Sequence, residues 1–507
     1  MLLMLIASGC FKDKGNYEYL SPEQITVTGV AGSYTVISQI DKLTVTPEAS
    51  STDPLAEFEY LWGIYETNVT GAVPRLDTIA RTKNLDYLVT QPAKAWVLVL
   101  RVSNKHTGFT VYQTANVNVE TAFTRGWYVA KDDGTQADLD MFLTPSSIIP
   151  SKLEENVFSR VNGAKVDGKA EFLTFLSSYK TYVTGAAVAG NTRTLFLSTA
   201  KNVVAMNINT LKPIYDYNTI GYEPFASKGR GVVFSGLSAQ YLVNDGQLHT
   251  IYTASASEGR FSPRVLRNNT NPDYHLSKYF LSAYINDPLF FDEMSGTFVT
   301  MSQGYGSFML TPPADAASEA IAYPNRTLLY MGTKSFSAIT QLNGVAIFQD
   351  KDDPTVKTLS FVTSYYSARR VKVINQPLPD TYKLYYADNY TVLNGDEDIL
   401  YFTVGNEVWS HNLSNHFEKL EYTVPDGEEI TYIRHKKRTA SGAEAPYAYN
   451  FFMIGTKTGS NYKVRMFEKA SGSLLTTPKV VLEGNGIMRD VFYIAPTVTE
   501  NTHMLTY

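Results

Sequence analysis

Cysteine chemistry in this chain falls on one residue, because Cys10 is the only cysteine in the sequence. A lone thiol can form neither an internal disulfide nor a cysteine-based zinc site. Its flanks indicate a processing site instead. Residues 1–6 are apolar, and Ala7, Ser8 and Gly9 are small, as a signal peptidase needs beside its cut. The pattern predicts cleavage before Cys10 and acylation of its sulfur and new amine, as in a bacterial lipobox; the alternative is a chance free thiol.

The apolar run ahead of Cys10 is too short to cross a bilayer, which takes about 20 residues. No later apolar run in the sequence is long enough for a transmembrane helix. We therefore expect residues 1–9 to be a signal-peptide remnant and residues 10–16 a lipidated tether, so that lipid alone attaches the chain to a membrane. No Lys or Arg precedes Cys10, and we expect the basic start of the signal to be encoded further upstream.

Histidine and acidic clusters are the candidates for metal binding. His411 and His416 lie five residues apart across a turn with Glu418 nearby, but nothing fixes a further ligand, so we interpret them as solvated turn residues. The acidic segments 131–140 and 350–354 carry the oxygen ligands that calcium favours, although neither has the D-x-[DN]-x-[DN]-G spacing. We predict polar loops without a metal or cofactor, and calcium remains the alternative for these two segments.

Hydrolytic chemistry lacks a sequence signature here, since the nucleophile element G-x-S-x-G does not occur. A glycosidase needs only two carboxylates across the scissile bond, and separate loops can supply them. We therefore assign no catalytic residues and favour binding over catalysis, with a glycoside hydrolase or lyase as the alternative. The net charge of −5 gives no support to a nucleic-acid partner. We interpret the basic run "RHKKR" (434–438) as a solvated hairpin tip in a loop.

Residues 17–121 show the alternation that is typical of half-buried strands. The stretch "FEYLWGIYE" (58–66) places Trp62 and Ile64 on one face. The stretch "AWVLVLRVSN" (95–104) is a nearly continuous apolar run, as in a strand that is covered on both faces. Six or seven short strands separated by turns predict a β-sandwich, with Trp62 in the centre of its core.

Residues 122–507 have a different rhythm, in which an apolar strand, a tight polar turn and further strands recur. The first strands of these units include LFLST, LLYMGT, LYFTVG and FFMIGT. The recurrence predicts a β-propeller of roughly seven blades after the sandwich, in an all-β chain, with a boundary near 121–125. Within 152–182, "KLEENVFSRVNG" and "AEFLTFLSSY" carry apolar residues at helical spacing, so we expect a short helical insertion there.

Loops on a rigid scaffold carry recognition because they can vary without disturbing the fold. Two predicted propeller loops place aromatic residues beside flexible ones: "SQGYGSF" contains Tyr305 and Phe308, and "SYYSARR" contains Tyr365 and Tyr366. Flat exposed rings of this kind stack on a sugar or on a peptide side chain. These four residues are our ligand-binding candidates; the alternative is that they pack between blades.

The entry segment and one hairpin carry a family resemblance. After Cys10 the chain reads K-D-K-G-N-Y-x-Y from Lys12 to Tyr19, and it reads L-x-V-x-(D/N)-K-x-T-G from Leu100 to Gly108. With these features the chain resembles the PKD-like lipoprotein family of Bacteroidota, clearly over the predicted sandwich and beyond it by overall layout. No catalytic residues come with this resemblance.

Members of that family resemble accessory lipoproteins encoded beside a TonB-dependent transporter and its lid lipoprotein. The resemblance implies an outer-membrane lipoprotein facing the cell exterior, with those two proteins as partners and a glycan or peptide as ligand. In such lipoproteins a Lys-acidic pair resembles a surface-export signal, which here falls on Lys12 and Asp13; a solvated tether is the alternative. We therefore expect a non-enzymatic accessory protein of nutrient uptake, with an adhesion or structural role as a further alternative.

Overall fold

The computed structural model describes residues 22–38, 41–67, 75–181, 190–237, 239–252, 258–268, 271–301, 308–337, 341–365, 368–395 and 397–500. The chain divides into two compact units, Met1–Ala122 (unit 1) and Phe123–Tyr507 (unit 2). Cys10, Lys12 and Asp13 lie outside the described residues. Among the described residues the regular elements are strands, apart from one short α-helix and two 3-10 helices, Lys383–Tyr386 and Gly442–Tyr447. The predicted all-β class is therefore confirmed.

Unit 1 is a β-sandwich. Its described strands are β1 (Ile25–Thr28), β2 (Ser33–Ile37), β3 (Lys42–Val45), β4 (Glu48–Ser51), β5 (Phe58–Glu66), β6 (Asp77–Ala80), β7 (Leu85–Leu88), β8 (Lys94–Asn104) and β9 (Thr110–Glu120). One sheet has five strands in the order β2-β9-β8-β5-β6, and the pairs β1-β4 and β3-β7 form two smaller ladders. The ladders are antiparallel except for β2 and β9, which run parallel.

The core of unit 1 forms around Trp62, which is completely buried with Ile64 and Leu100. The Trp62 indole N–H donates to the carbonyl oxygen of Thr82 at 3.0 Å, so the buried ring keeps a partner for its polar edge. The prediction that Trp62 is a core residue of the sandwich is confirmed.

Unit 2 begins with an incomplete sheet and continues through six further sheets in chain order. The first comprises β10 (Gly126–Asp132), β11 (Gln136–Leu143), β12 (Lys152–Glu154) and β13 (Val166–Asp167), with helix α1 (Val157–Asn162) before β13. The second and third comprise β14 (Ala170–Thr181), β15 (Gly190–Thr199), β16 (Val203–Asn207) and β17 (Pro213–Tyr215), then β18 (Gly231–Ser235), β19 (Ala239–Asn244) and β20 (Gln247–Tyr252).

The fourth and fifth sheets comprise β21 (Leu266–Arg267), β22 (Leu276–Ala283), β23 (Asn286–Asp292), β24 (Thr297–Met301) and β25 (Phe308–Leu310), then β26 (Arg326–Ser337), β27 (Gln341–Asp350), β28 (Lys357–Tyr365) and β29 (Arg370–Leu378). The sixth comprises β30 (Asn389–Val392), β31 (Ile399–Val404), β32 (Glu407–Asn412) and β33 (Glu418–Thr423). The seventh comprises β34 (Glu429–Arg438), β35 (Tyr449–Thr458), β36 (Asn461–Phe467) and β39 (Val480–Asn485), with the small hairpin β37 (Lys469–Ala470) and β38 (Ser473–Leu474) between the last two.

The last strand, β40 (Ile487–Ile494), completes the first sheet by pairing antiparallel with β10. The inner strands of neighbouring sheets contact each other around a ring: β40 with β14, β14 with β18, β22 with β26, β26 with β30, β30 with β34, and β34 with β40. Between β18 and β22, Phe234 and Phe280 stack with ring centroids 4.2 Å apart. Seven sheets arranged in this way form a β-propeller, as the sequence predicts.

The segment "AEFLTFLSSY", expected to be helical, is β14, the inner strand of the second blade. An inner strand is packed on both faces, so its apolar residues run almost continuously instead of alternating. Phe172, Leu173, Phe175 and Leu176 are all buried, and their spacing also fits one face of a helix. The helical insertion itself is present but is limited to the six residues of α1.

The basic run at 434–438 was expected at a solvated hairpin tip, and this is wrong. It lies in β34, where His435, Lys436 and Arg438 are buried. The Lys436 ammonium donates to Asp490 Oδ1 at 2.7 Å and to the Val491 carbonyl oxygen at 2.5 Å, both on β40. Arg438 donates to the Tyr447 carbonyl oxygen at 2.7 Å and to Glu444 Oε2 at 2.9 Å. Both charges are therefore buried with partners that the basic composition of the run does not reveal.

Candidate functional site

A polar pocket of about 490 Å³ opens where the first and seventh sheets of unit 2 meet. The β10–β11 hairpin and the segment before β13 contribute most of its lining, and the β35–β36 turn and the β39–β40 junction complete it. Its volume lies in the range of small-molecule sites, about 300–1,000 Å³. Unlike most such sites, it is lined mainly by carboxylates, lysines and amides.

Beside the pocket, β10 and β11 hold a buried ion pair. The Lys131 ammonium lies 2.7 Å from Asp140 Oδ1, and both side chains are almost fully buried. Asp140 also accepts hydrogen bonds from the Asn156 amide and from the Tyr462 hydroxyl, both at 2.8 Å. Burial raises the pKa of Asp140 because it disfavours the charged form, while Lys131 opposes the rise. The hydrogen bond from Tyr462, which lies on β36, joins the hairpin to the seventh sheet.

Two further carboxylates of the same hairpin are also neutralised. Asp132 accepts from Arg489 Nε at 2.7 Å. Asp133 lies 2.7 Å from the Lys165 ammonium and accepts from the backbone amide of Gln136. Hydrogen bonds from Lys165, Gln136 and then Thr135 hold the pKa of Asp133 well below its usual range. The basic residues of the pocket are therefore matched to carboxylates.

Asp138 differs from these residues. It lies on β11 and lines the pocket, although its accessible surface is only 1% of the maximum. Its Oδ1 accepts from the amides of Leu139 and Ser159, at 2.8 and 3.1 Å, whereas its buried Oδ2 has no hydrogen-bond partner. A buried carboxylate oxygen without a donor is costly, so its position at the pocket makes it a candidate ligand contact.

The sequence predicts that the carboxylates of 131–140 lie in a loop, and that placement is partly wrong. Asp133 lies in a turn, but Asp138 and Asp140 lie within β11 and are buried. The signal that could have found them is the alternation D-L-D in "ADLDMFL", where carboxylates occupy one face of an otherwise apolar strand.

A second cavity, of about 40 Å³, lies by the ring of inner strands and is lined by residues of β14, β18, β22 and β40 and by residues 498–500. Glu500 accepts from the amide and the hydroxyl of Ser177 at 2.8 and 2.6 Å, and Arg193 donates to the carbonyl oxygen of Ala495 at 2.6 Å. These contacts hold the last described segment against β14 and β15. The cavity is far smaller than ligand sites usually are.

Two of the four aromatic candidates, Tyr305 and Tyr366, lie outside the described residues. Phe308 begins β25 and Tyr365 ends β28, and both are half-buried. The structure brings their segments together, because Arg369 donates to the Met301 carbonyl oxygen at 2.9 Å. Their role in ligand binding stays a prediction, and they are not part of the polar pocket.

The histidine pair is a hydrogen-bonded cluster. His411 lies in β32 and is fully buried, so the interpretation as a solvated turn residue is wrong for it. Its Nδ1 lies 3.0 Å from Glu418 Oε1 and its Nε2 lies 3.2 Å from His416 Nδ1. Burial lowers the pKa of His411, and Glu418 opposes that shift. Tyr382 stacks on His416 with centroids 5.7 Å apart. Both nitrogens of His411 are thus engaged within the protein.

The second acidic loop, 350–354, is a hydrogen-bonded turn: Asp350 Oδ1 accepts from the amides of Asp352 and Asp353, and Asp353 accepts from Thr355. Over the described ranges, no three His, Cys, Asp or Glu side chains group so that they could hold a metal ion. In the same part of the chain, no helix is long and apolar enough to span a membrane.

A model of the PKD-like family matches residues 10–170. The match covers the described part of unit 1 and extends through β10–β13, the hairpin and insertion that line the polar pocket. The resemblance to this family is therefore confirmed for that part of the chain. No curated protein matches the sequence.

Three solved structures illustrate what the chain is similar to. A quinonprotein alcohol dehydrogenase-like protein from Bacteroides thetaiotaomicron has 10% identity and a TM-score of 0.40, with 92% of this chain and 97% of that chain covered. A DUF4784 family protein from Bacteroides caccae has 8% identity and a TM-score of 0.27, with 91% and 98% covered. PorZ, a surface component of the type-IX secretion system of Porphyromonas gingivalis, has 10% identity and a TM-score of 0.28, with 76% and 51% covered. Similarity at this level transfers no activity, ligand or partner to this chain.

Proposed function

We propose that this chain is a lipid-anchored outer-membrane protein, facing the cell exterior, whose propeller captures a glycan or a peptide without turning it over. It passes that ligand to a TonB-dependent transporter and its lid lipoprotein, as a non-enzymatic accessory component of nutrient uptake.

The observation that carries the proposal is the polar pocket of about 490 Å³, with the partnerless Oδ2 of Asp138 in its lining. Hydroxyl and amide groups of a glycan or peptide would supply the donor that Asp138 lacks, and the pocket's amides would pair with the remaining groups. The other carboxylates of the hairpin are held in ion pairs, which suits positioning a ligand more than transferring protons to it.

Support for the anchor comes from the sequence. Cys10 follows three small residues and an apolar run, and the match to the PKD-like family starts at this residue. Several acyl chains give stable membrane attachment, whereas a single chain is marginal.

Capture without turnover can be tested by calorimetric titration with a panel of soluble oligosaccharides and with a peptide digest, followed by mass spectrometry of the mixtures. We expect saturable binding of at least one compound and no new products. Asp138→Asn should weaken that binding about tenfold or more, the loss expected for a hydrogen bond to a charged group. Asp380→Asn, at an exposed position after β29, is the matched control. Product formation at catalytic rates, or no binding across the panel, would overturn the proposal.

Anchoring is tested separately, in cells that express the chain behind an intact signal peptide. The wild type should appear in the outer-membrane fraction and incorporate labelled fatty acid. Cys10→Ala should lose both properties because it removes the acylated sulfur, while Ser8→Ala, which keeps a small residue before the cut, should retain them. A Cys10→Ala protein that still partitions with membranes would rule the anchor out.

A further inference from the structure

The charges that line the polar pocket point to the class of ligand that it takes. We infer that the pocket binds a ligand through a cationic amine, with Asp138 as the buried contact and Glu155 at the rim. This inference rests on the proposed function and specifies the ligand of the same site.

The cationic side chains around the pocket are held in ion pairs. Both lysines in the lining have carboxylate partners at 2.7 Å: Lys131 is paired with Asp140 and Lys165 with Asp133. Asp132 is paired in turn with Arg489. Among the described residues, these contacts leave the cations at the pocket already neutralised.

Asp138 and Glu155 are the carboxylates at the pocket that these ion pairs do not include. Asp138 takes part in no ion pair within the described ranges, and its Oδ2 accepts no hydrogen bond although it is buried. Lys131 lies directly opposite it across the β10–β11 ladder, but the Lys131 ammonium pairs with Asp140. Glu155 is exposed at the rim and accepts a hydrogen bond from the neutral amide of Asn485 at 3.0 Å. Two carboxylates therefore remain without a cation.

Further carboxylates lie next to the pocket. A neighbouring cavity of about 590 Å³ shares Glu155 and Asn485 with the pocket and is also lined by Asp426, Glu428, Glu483 and Lys463. Glu428 is paired with Arg465 and Glu483 with Lys463, whereas Asp426 adds a further negative charge. The whole edge is thus rich in carboxylates. An approaching ammonium group is favoured by this field and supplies N–H donors to Asp138, whereas a neutral hydroxyl supplies a donor without the charge.

An amine of this kind occurs in amino sugars and at the N-terminus of peptides, so the test uses both sources, each as a pair of compounds that differ in the charge of the amine. Glucosamine is compared with N-acetylglucosamine, and triglycine with N-acetyltriglycine, by isothermal calorimetry on the full chain at low and high salt. We expect the amine of at least one pair to bind about tenfold or more tightly than its acetylated partner, since a charged hydrogen bond is replaced by a neutral one. The preference should shrink at high salt.

Asp138→Asn should abolish the preference for the amine, and Asp380→Asn should leave it unchanged. Because Asp138 is buried, Glu155→Gln serves as a second variant at an exposed position and should reduce the preference without affecting the fold. Equal affinity for amine and acetylated compound, a preference that survives both substitutions, or no binding of any of the four compounds would overturn the inference. If the inference fails but a neutral compound of the wider panel binds, the proposed function stands without the inference.

Discussion

At the scale of single residues, His435 links the stability of the propeller to pH. It is fully buried on β34, where its Nδ1 accepts from the Asn394 amide at 3.1 Å and its Nε2 donates to Asn450 Oδ1 at 2.7 Å. Burial, and next the positive charge of Lys469, lower the pKa of His435 to about 3. The hydrogen bond that Nδ1 accepts requires the neutral imidazole, with its proton on Nε2.

Between about pH 6.5 and pH 3 the unfolded chain therefore binds a proton at His435 that the folded protein does not. Stability must fall as the pH drops through this window, by up to about 1.4 kcal/mol per pH unit from this residue. We expect chemical denaturation of unit 2 to show a shallower dependence on pH in His435→Gln than in the wild type. Equal slopes for the wild type and His435→Gln would contradict the prediction.

The sequence identifies the residue types at the candidate site but not their pairing. Asp138 and Asp140 lie two positions apart on β11, so the local sequence pattern does not distinguish them. Asp140 is satisfied by Lys131 and by Tyr462, which lies 322 residues away along the chain, and Asp138 is not satisfied on one oxygen. That difference depends on tertiary packing, so it could be read only from the structure.

At the scale of elements, the turns that join the second and third strands of a blade differ in how closely other backbone packs against them. Gly296, in the β23–β24 turn, and Gly405, in the β31–β32 turn, both have positive φ values, +63° and +58°. A Cβ at Gly296 would collide with the backbone of Tyr323 and Pro324, whereas a Cβ at Gly405 would point into open space.

Alanine at either position should cost about 1–2 kcal/mol because of the left-handed backbone. Gly296→Ala should cost roughly 1–3 kcal/mol more, since the backbone after β25 has to move. The thermal midpoints of the unit 2 transition in the two variants, compared with the wild type, measure this difference. Equal losses would show that the backbone near Tyr323 yields without cost.

Several second strands of the blades were predictable because apolar runs such as LFLST and LYFTVG recur ahead of tight turns that carry glycine or polar residues. The inner strand β14 was not, since packing on both faces removes the alternation and leaves a spacing that also fits a helix. The burial of the charges on β34 was not predicted for a related reason. Lys436 has its partner on β40, and the sequence near 434–438 gives no indication of that partner.

At the scale of the whole molecule, the rhythm of strands predicts both the sandwich and a propeller of about seven blades. It does not predict the pocket, because the pocket forms between the hairpin β10–β11 and the segment 485–487, which are joined only when the ring closes. A site made from the two ends of a unit has no compact sequence pattern.

The pairing of β10 with β40 also governs when unit 2 can finish folding. Asp132 and Arg489 are 357 residues apart, and bringing such distant segments together costs on the order of 5 kcal/mol of chain entropy. Until β40 emerges from the ribosome, β10 keeps one hydrogen-bonding edge without its strand, and such an edge invites pairing with another chain. The final step of folding must therefore follow the synthesis of β40. Contacts of such high sequence separation make that step slow, so the unpaired edge of β10 stays open to other chains for longer.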